Sequence, residues 1–103
     1  MTFTRACAVA DLPDGKPLAV EVDDTEIALV CHGDEVFAIR DECSHAEIAL
    51  SEGDVEDCTI ECWLHGSRFD LRTGAALGLP ATEPVAVYPV HLDGGDVLVE
   101  INP

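Results

Sequence analysis

Two short pairs of metal ligands constrain this chain more than anything else in it: Cys43-Ser44-His45 and, after sixteen intervening residues, Cys62-Trp63-Leu64-His65. Each pair sets one soft sulfur beside one imidazole. Thiolates favour iron in iron-sulfur clusters, and imidazoles also suit iron but carry no charge when bound as neutral rings. Four ligands in mixed pairs therefore point to a metal site with unlike ends. Structural zinc with two cysteines and two histidines is the immediate rival, since it takes the same ligands in a tetrahedron. Zinc fingers, however, group Cys with Cys and His with His, whereas both pairs here are mixed and the first has a single intervening residue.

With 103 residues the chain has room for one domain, 1–103. A chain this short buries roughly 60 to 70% of its unfolded surface, so a metal staple would add usefully to its stability. No run of about 18 apolar residues occurs, and the stretch from Met1 to Gly15 lacks a basic patch followed by an apolar segment. A soluble, cytoplasmic protein is expected. Acidic residues number 21 against five basic ones, giving a net charge of −16. A field of that sign repels phosphate backbones and anionic membranes, which argues against nucleic-acid and membrane roles and leaves a basic protein partner plausible. Self-repulsion makes a monomer the simplest state.

The five cysteines are an odd number, which argues against a complete disulfide framework where thiols stay reduced. Cys7 and Cys31 sit in apolar, strand-like stretches and are expected to pack as small hydrophobes. Cys58, Ile60 and Cys62 would share one face of a strand, placing Cys58 near the metal without ligating it.

Along most of the chain apolar residues recur with period two and β-branched residues are enriched. Strands are expected at Thr2 to Cys7, Ala19 to Val22, Glu26 to Val30, Val36 to Ile39, Ala86 to Leu92 and Val97 to Ile101. Turns fall at Asp23-Asp24, at His32-Gly33-Asp34 and at Asp93-Gly94-Gly95-Asp96, where residues that tolerate positive φ permit tight hairpins. This is an all-β meander of antiparallel strands. Residues 41–84 differ in character: they carry the ligands, turn residues, two short strand candidates at Cys58 to Cys62 and Ser67 to Leu71, and a helical turn at Ala46 to Leu50. They read as an insertion. Pro80 and Pro84 bracket a loop that cannot enter a sheet interior and is free to cover the site.

Cys-x-His followed at this distance by Cys-x-x-His, with Gly66 and Ser67 directly after it, resembles the signature of the Rieske iron-sulfur family. The resemblance spans nearly the whole chain. It implies the Rieske fold: antiparallel sheets with an inserted cluster-binding subdomain, here 41–84. The acidic ferredoxins of bacterial multicomponent aromatic-ring dioxygenases look most similar. In that family the cofactor is one 2Fe-2S cluster, with both cysteines on one iron and both histidines on the other. By position, Cys43 and Cys62 would hold the inner iron, and His45 and His65 the outer iron near the surface, where the electron leaves.

Neutral imidazoles leave the oxidised unit formally uncharged, where four thiolates would make it an anion. Adding an electron is then easier, and potentials lie at about −150 to +300 mV. Respiratory members carry an extra cysteine in each ligand loop that forms a disulfide; Ile48 and Leu64 stand at those places. Ser67 matches a serine that donates to a cluster sulfide in high-potential members, but Phe69 stands where those often have a donating tyrosine. A missing donor lowers the potential. A low-potential centre is expected, with Trp63 shielding the cluster.

The resemblance implies a one-electron carrier between a reductase and a terminal oxygenase, not an enzyme in itself. Oxygenase activity would need a mononuclear iron held by two histidines and a carboxylate, and only His32 and His91 remain. A Rieske ferredoxin serving iron-sulfur assembly or another redox system is the alternative in the same class, and a zinc-stabilised interaction module the alternative from another. Asp41, Glu42, Glu47 and Glu52 surround the first ligand pair and are candidates to meet a basic docking patch. Arg40 and Arg68 lie near the site as orienting or surface groups.

Overall fold

The computed structural model describes residues 3–13, 15–32, 35–42, 49–62, 67–77 and 83–101. Its strands are β1 (Thr4–Ala8), β2 (Pro17–Val22), β3 (Thr25–His32), β4 (Glu35–Arg40), β5 (Asp54–Glu56), β6 (Thr59–Glu61), β7 (Arg68–Asp70), β8 (Val87–Tyr88), β9 (Val90–Asp93) and β10 (Asp96–Val99). They form three antiparallel sheets, ordered β1-β10-β9, β2-β3-β4-β8 and β5-β6-β7. The helical content of the described residues is two 3-10 turns, Val9–Asp11 and Leu50–Glu52. No helix among them is long and apolar enough to cross a membrane.

The middle sheet is covered on both faces, and β3 shows why its sequence is apolar without interruption. Ile27 and Leu29 join Ala38, Val97, Val99 and Cys7 in one buried cluster, toward β1-β10-β9. Ala28 and Val30, pointing the other way, join Ile39, Ile60, Phe69 and Leu71 in a second cluster, toward β5-β6-β7. Side chains alternate faces along a strand, so burial on both sides removes the polar half of the pattern. Register keeps the layers sorted: Ala28 opposes Ile39, and Leu29 opposes Ala38. In β2 only one face is covered, and Ala19 and Glu21 stay exposed.

Hairpins depend on residues with positive φ. Asp23 and Asp24 (φ 48° and 63°) link β2 to β3, and Gly94 and Gly95 (φ 58° and 93°) link β9 to β10. Two adjacent positive φ values give the turn whose twist matches paired strands.

Three local expectations need correction. Cys58 is not in a strand: Asp57 and Cys58 adopt φ 48° and 63° as the turn between β5 and β6, so Cys58 does not extend the alternation of Ile60 and Cys62. The strand β5 was not anticipated, because it has three residues with one partly buried apolar position, too little pattern to detect. The expected single strand from Ala86 to Leu92 divides at Pro89. Val87-Tyr88 pairs with β4, whereas Val90 to Asp93 pairs with β10. Pro89 has no amide to donate to either ladder and marks the crossing between sheets. The helical turn expected at 46–50 has 46–48 outside the described residues; a 3-10 turn follows at Leu50–Glu52.

Candidate metal centre

The described residues that flank each ligand pair are drawn together. Of the proposed ligands, Cys62 is among the described residues; Cys43, His45 and His65 lie outside them, as do Trp63 and Gly66. At the second loop, β6 and β7 pair Ile60 with Phe69 and Glu61 with Arg68. The ladder ends at Cys62, whose amide donates to the Ser67 carbonyl at 2.7 Å. Arg68 braces this hairpin through Glu61 at 2.8 Å and Thr59 at 3.4 Å.

The first loop is closed by a side chain. Asp41 follows β4, and its amide extends the ladder by donating to the Glu26 carbonyl at 3.0 Å. Its carboxylate then receives two bonds from Ser51: the amide to Oδ1 at 2.6 Å and the hydroxyl to Oδ2 at 2.7 Å. Leu50, fully buried in the second cluster, anchors the same end. Residues 42–50, with Cys43 and His45 among them, are thus held at both ends.

The two necks touch. Gly53, just past Ser51, lies so close to the carbonyl of Glu61 that a β-carbon at 53 would overlap that oxygen. Two loops distant in sequence therefore start from a common base, which the sequence did not reveal.

The described residues fit a cluster-binding role. Cys62 is 1% exposed and packs with Leu50, Ile60, Phe69 and Leu71, which gives a ligating sulfur an apolar, water-poor setting. Ser67 is equally buried at 1%. Phe69 is fully buried, so the position of the missing tyrosine hydroxyl is an interior one.

Other candidates separate from the site. Cys7 is buried, and burial pushes its thiol up from its ordinary value. Cys31 is only partly buried, less than expected. Cys58 packs against the second cluster, and burial raises its thiol too, partly offset by the Arg72 guanidinium. Arg72 forms a forked pair with Glu35 at 2.8 and 3.0 Å and lies 5.2 Å from the centre of the Phe37 ring. This fork joins the end of β7 remote from its ligand loop to the start of β4. His32 ends β3 and is exposed. His91, on β9, packs its ring 5.9 Å from that of Phe3. Arg40 is an exposed partner of Glu42 at 3.7 Å.

The acids near the first loop are of two kinds. Glu52 is exposed and Glu42 half-buried, while Asp41 is 5% exposed and turned inward, contrary to its expected place on a docking rim. Glu47 lies outside the described residues, as do 78–82 of the loop expected to be free to cover the site. Beside the neck, Glu21, Glu26, Asp41, Ser51 and Glu52 line a depression of about 520 Å³ over the open face of β2.

Comparison with known proteins identifies the type of site. Residues 2–89 match the Rieske 2Fe-2S domain model. The chain is 48% identical over 102 residues to the 3-phenylpropionate/cinnamic acid dioxygenase ferredoxin subunit of Escherichia coli (strain K12), covering 98% of this chain and 95% of that protein. In structure it is similar to the ferredoxin of carbazole 1,9a-dioxygenase from Nocardioides aromaticivorans IC177, with a TM-score of 0.92 and 44% identity over 96% of this chain and 97% of that one. It is also similar, at TM-score 0.87 and 34% identity over 94% and 91% of the two chains, to a component of a complex of reduced oxygenase and oxidized ferredoxin in carbazole 1,9a-dioxygenase.

Proposed function

Because the chain belongs to the Rieske 2Fe-2S domain family, we propose that it is a soluble, cytoplasmic one-electron carrier, taking electrons from a reductase and passing them to the terminal oxygenase of an aromatic-ring dioxygenase. The observation that carries this reading is the end-to-end likeness to dioxygenase ferredoxin subunits, with 98% of this chain and 95% of the relative aligned. The family match also sets aside the zinc module. When bound, a 2Fe-2S cluster supplies a reversible one-electron couple.

The chain's own residues hold and shield that couple. Cys43 and Cys62 bind the inner iron, His45 and His65 the outer one, and Trp63 covers the cluster. The closed necks at Asp41–Ser51 and Cys62–Ser67 support this assignment. The chain is treated as one domain, 1–103, in which 41–84 is the cluster-binding insertion. Support comes from the small sheet β5-β6-β7 falling in sequence between β4 and β8. The carrier is an electron-transfer component and not a catalyst.

Its partners present a basic docking patch, and the carrier is a monomer. Net charge of −16 and the acid-lined depression beside the first loop support both readings. A reconstituted system of reductase, this chain and terminal oxygenase tests the function. Turnover is expected to need all three, and undiminished turnover without this chain would contradict the reading.

A further inference from the structure

Among the described residues, Glu100 is the buried side chain whose polar atoms meet no hydrogen-bond partner. It is 1% exposed, and both carboxylate oxygens lack a donor. None of the four ion pairs among these residues, Arg5–Asp96, Arg40–Glu42, Arg68–Glu61 and Arg72–Glu35, reaches it. Register gives its place. Val97, Val99 and Ile101 pack in the cluster toward the middle sheet, so alternation turns Leu98 and Glu100 to the outer face of β1-β10-β9. Leu98 opposes Arg5 on one side and His91 on the other. Thr4 opposes Val99, and one residue further sets Phe3 opposite Glu100. The Phe3 and His91 rings, 5.9 Å apart, meet across β10, the middle strand of this sheet. They roof the stretch that holds Glu100.

We propose that the outer face of β1-β10-β9 is a docking surface for a basic protein partner, with Glu100 as the socket for an arginine side chain. A buried acceptor left without a donor costs stability, and a group that supplies the donor recovers that cost on binding. Two oxygens side by side match the planar fork of a guanidinium, whereas an ammonium is a single point charge. A guanidinium also stacks on aromatic faces, which Phe3 and His91 provide. Entry needs Phe3 to swing aside; it precedes β1 and is 41% exposed. The net charge of −16 draws a basic partner in. A second copy of this chain is a poorer occupant, because it brings the same charge and its Arg5 is engaged by Asp96. The middle sheet separates this face from β5-β6-β7, so a partner held here leaves the ends of β6 and β7 uncovered. The inference is independent of which residues ligate the cluster.

The probe is a capped Gly-Arg-Gly tripeptide, titrated into the cluster-loaded protein and followed by amide NMR, with capped Gly-Lys-Gly beside it. Saturable shifts are expected at Phe3, His91, Leu98 and Glu100 and not along β5-β6-β7. The lysine peptide is expected to bind roughly tenfold more weakly, the worth of one charge-assisted hydrogen bond.

Glu100→Leu is expected to abolish those shifts while the urea midpoint of the free protein rises, since the unmet acceptors are gone. Its EPR line shape and redox midpoint are expected to match the parent. If the Leu variant does not fold, Glu100→Gln decides: it keeps the shape but sets an amide NH2 against the guanidinium, and binding should weaken roughly tenfold. Binding undiminished in either variant, shifts scattered over exposed acids elsewhere, or no saturable shift at all overturns the proposal. Equal binding of the lysine peptide overturns the arginine socket. Self-association seen by sedimentation and lost in Glu100→Leu would give the face to a second copy and overturn it as well.

Discussion

Gly53 packs so tightly on the carbonyl oxygen of Glu61 that an added β-carbon would overlap it, and this approach joins the segment after the first ligand pair to the segment before the second. Ser51 closes the first loop and Cys62, next to Glu61, opens the second. Gly53 has an ordinary φ of −91° with ψ −170°, so it is required for space and not for dihedral freedom. Gly53→Ala is expected to force the necks apart, cost about 1–3 kcal/mol as overpacking does, and reduce iron and sulfide per chain. Thermal unfolding and metal analysis check both. A variant with parental melting and full cluster content would show that the necks need not touch.

Phe69 lies fully buried opposite Ile60 and shares its cluster with Cys62. Phe69→Tyr places a hydroxyl where high-potential relatives are expected to have one, so the midpoint should rise, because donation to the cluster's sulfurs stabilises added negative charge. Voltammetry reads this directly, and an unmoved midpoint removes the hydroxyl from the explanation. Phe69→Ala is expected to destabilise by about 3–5 kcal/mol through the cavity it leaves.

How much could be read in advance depended on whether a residue's role was local. The period-two pattern was enough to place strands at Ala19 to Val22 and Glu26 to Val30, but not to show that the second is covered on both faces. The family was legible because spacing and residue type carry its signature. Cys58 was misplaced because two consecutive positive φ values at Asp57 and Cys58 have no glycine to announce them. The role of Asp41 was misread for a different reason. Its partner lies ten residues away, across the ligand loop, and nothing in a run of acids distinguishes the one that turns inward. Gly53 was silent because its demand for space is made by a strand that follows it.

The Arg72–Glu35 fork gives a pH dependence of definite sign. Hydrogen bonding to Arg72 holds the Glu35 carboxyl below its usual value. A depressed folded value means stabilisation that is present above the unfolded carboxyl range and disappears as pH falls through the folded value. Both side chains are about half exposed, so the effect is small and salt-sensitive. In urea unfolding, the deficit of Arg72→Ala relative to the parent is expected to shrink from neutral pH to pH near 3, leaving the part due to contact with Phe37. A deficit that grows on acidification would contradict the assignment.

Docking by charge predicts a strong ionic-strength dependence. With a net charge of −16 and a basic patch on the partner, the second-order rate of electron delivery to the oxygenase should fall steeply as salt is raised, since screening weakens steering. Glu52→Lys, which reverses one exposed charge beside the first loop, is expected to slow association with little change in the midpoint. Stopped-flow measurement over a range of salt checks both; a rate indifferent to salt would exclude a basic docking patch.

An EPR-monitored redox titration of the purified protein tests the central claim most directly. The account expects a signal on reduction that follows a one-electron curve with a midpoint below zero millivolts, and that is lost in Cys62→Ser and His65→Ala proteins. A midpoint well above zero, or a protein that holds zinc and gives no signal on reduction, would contradict it.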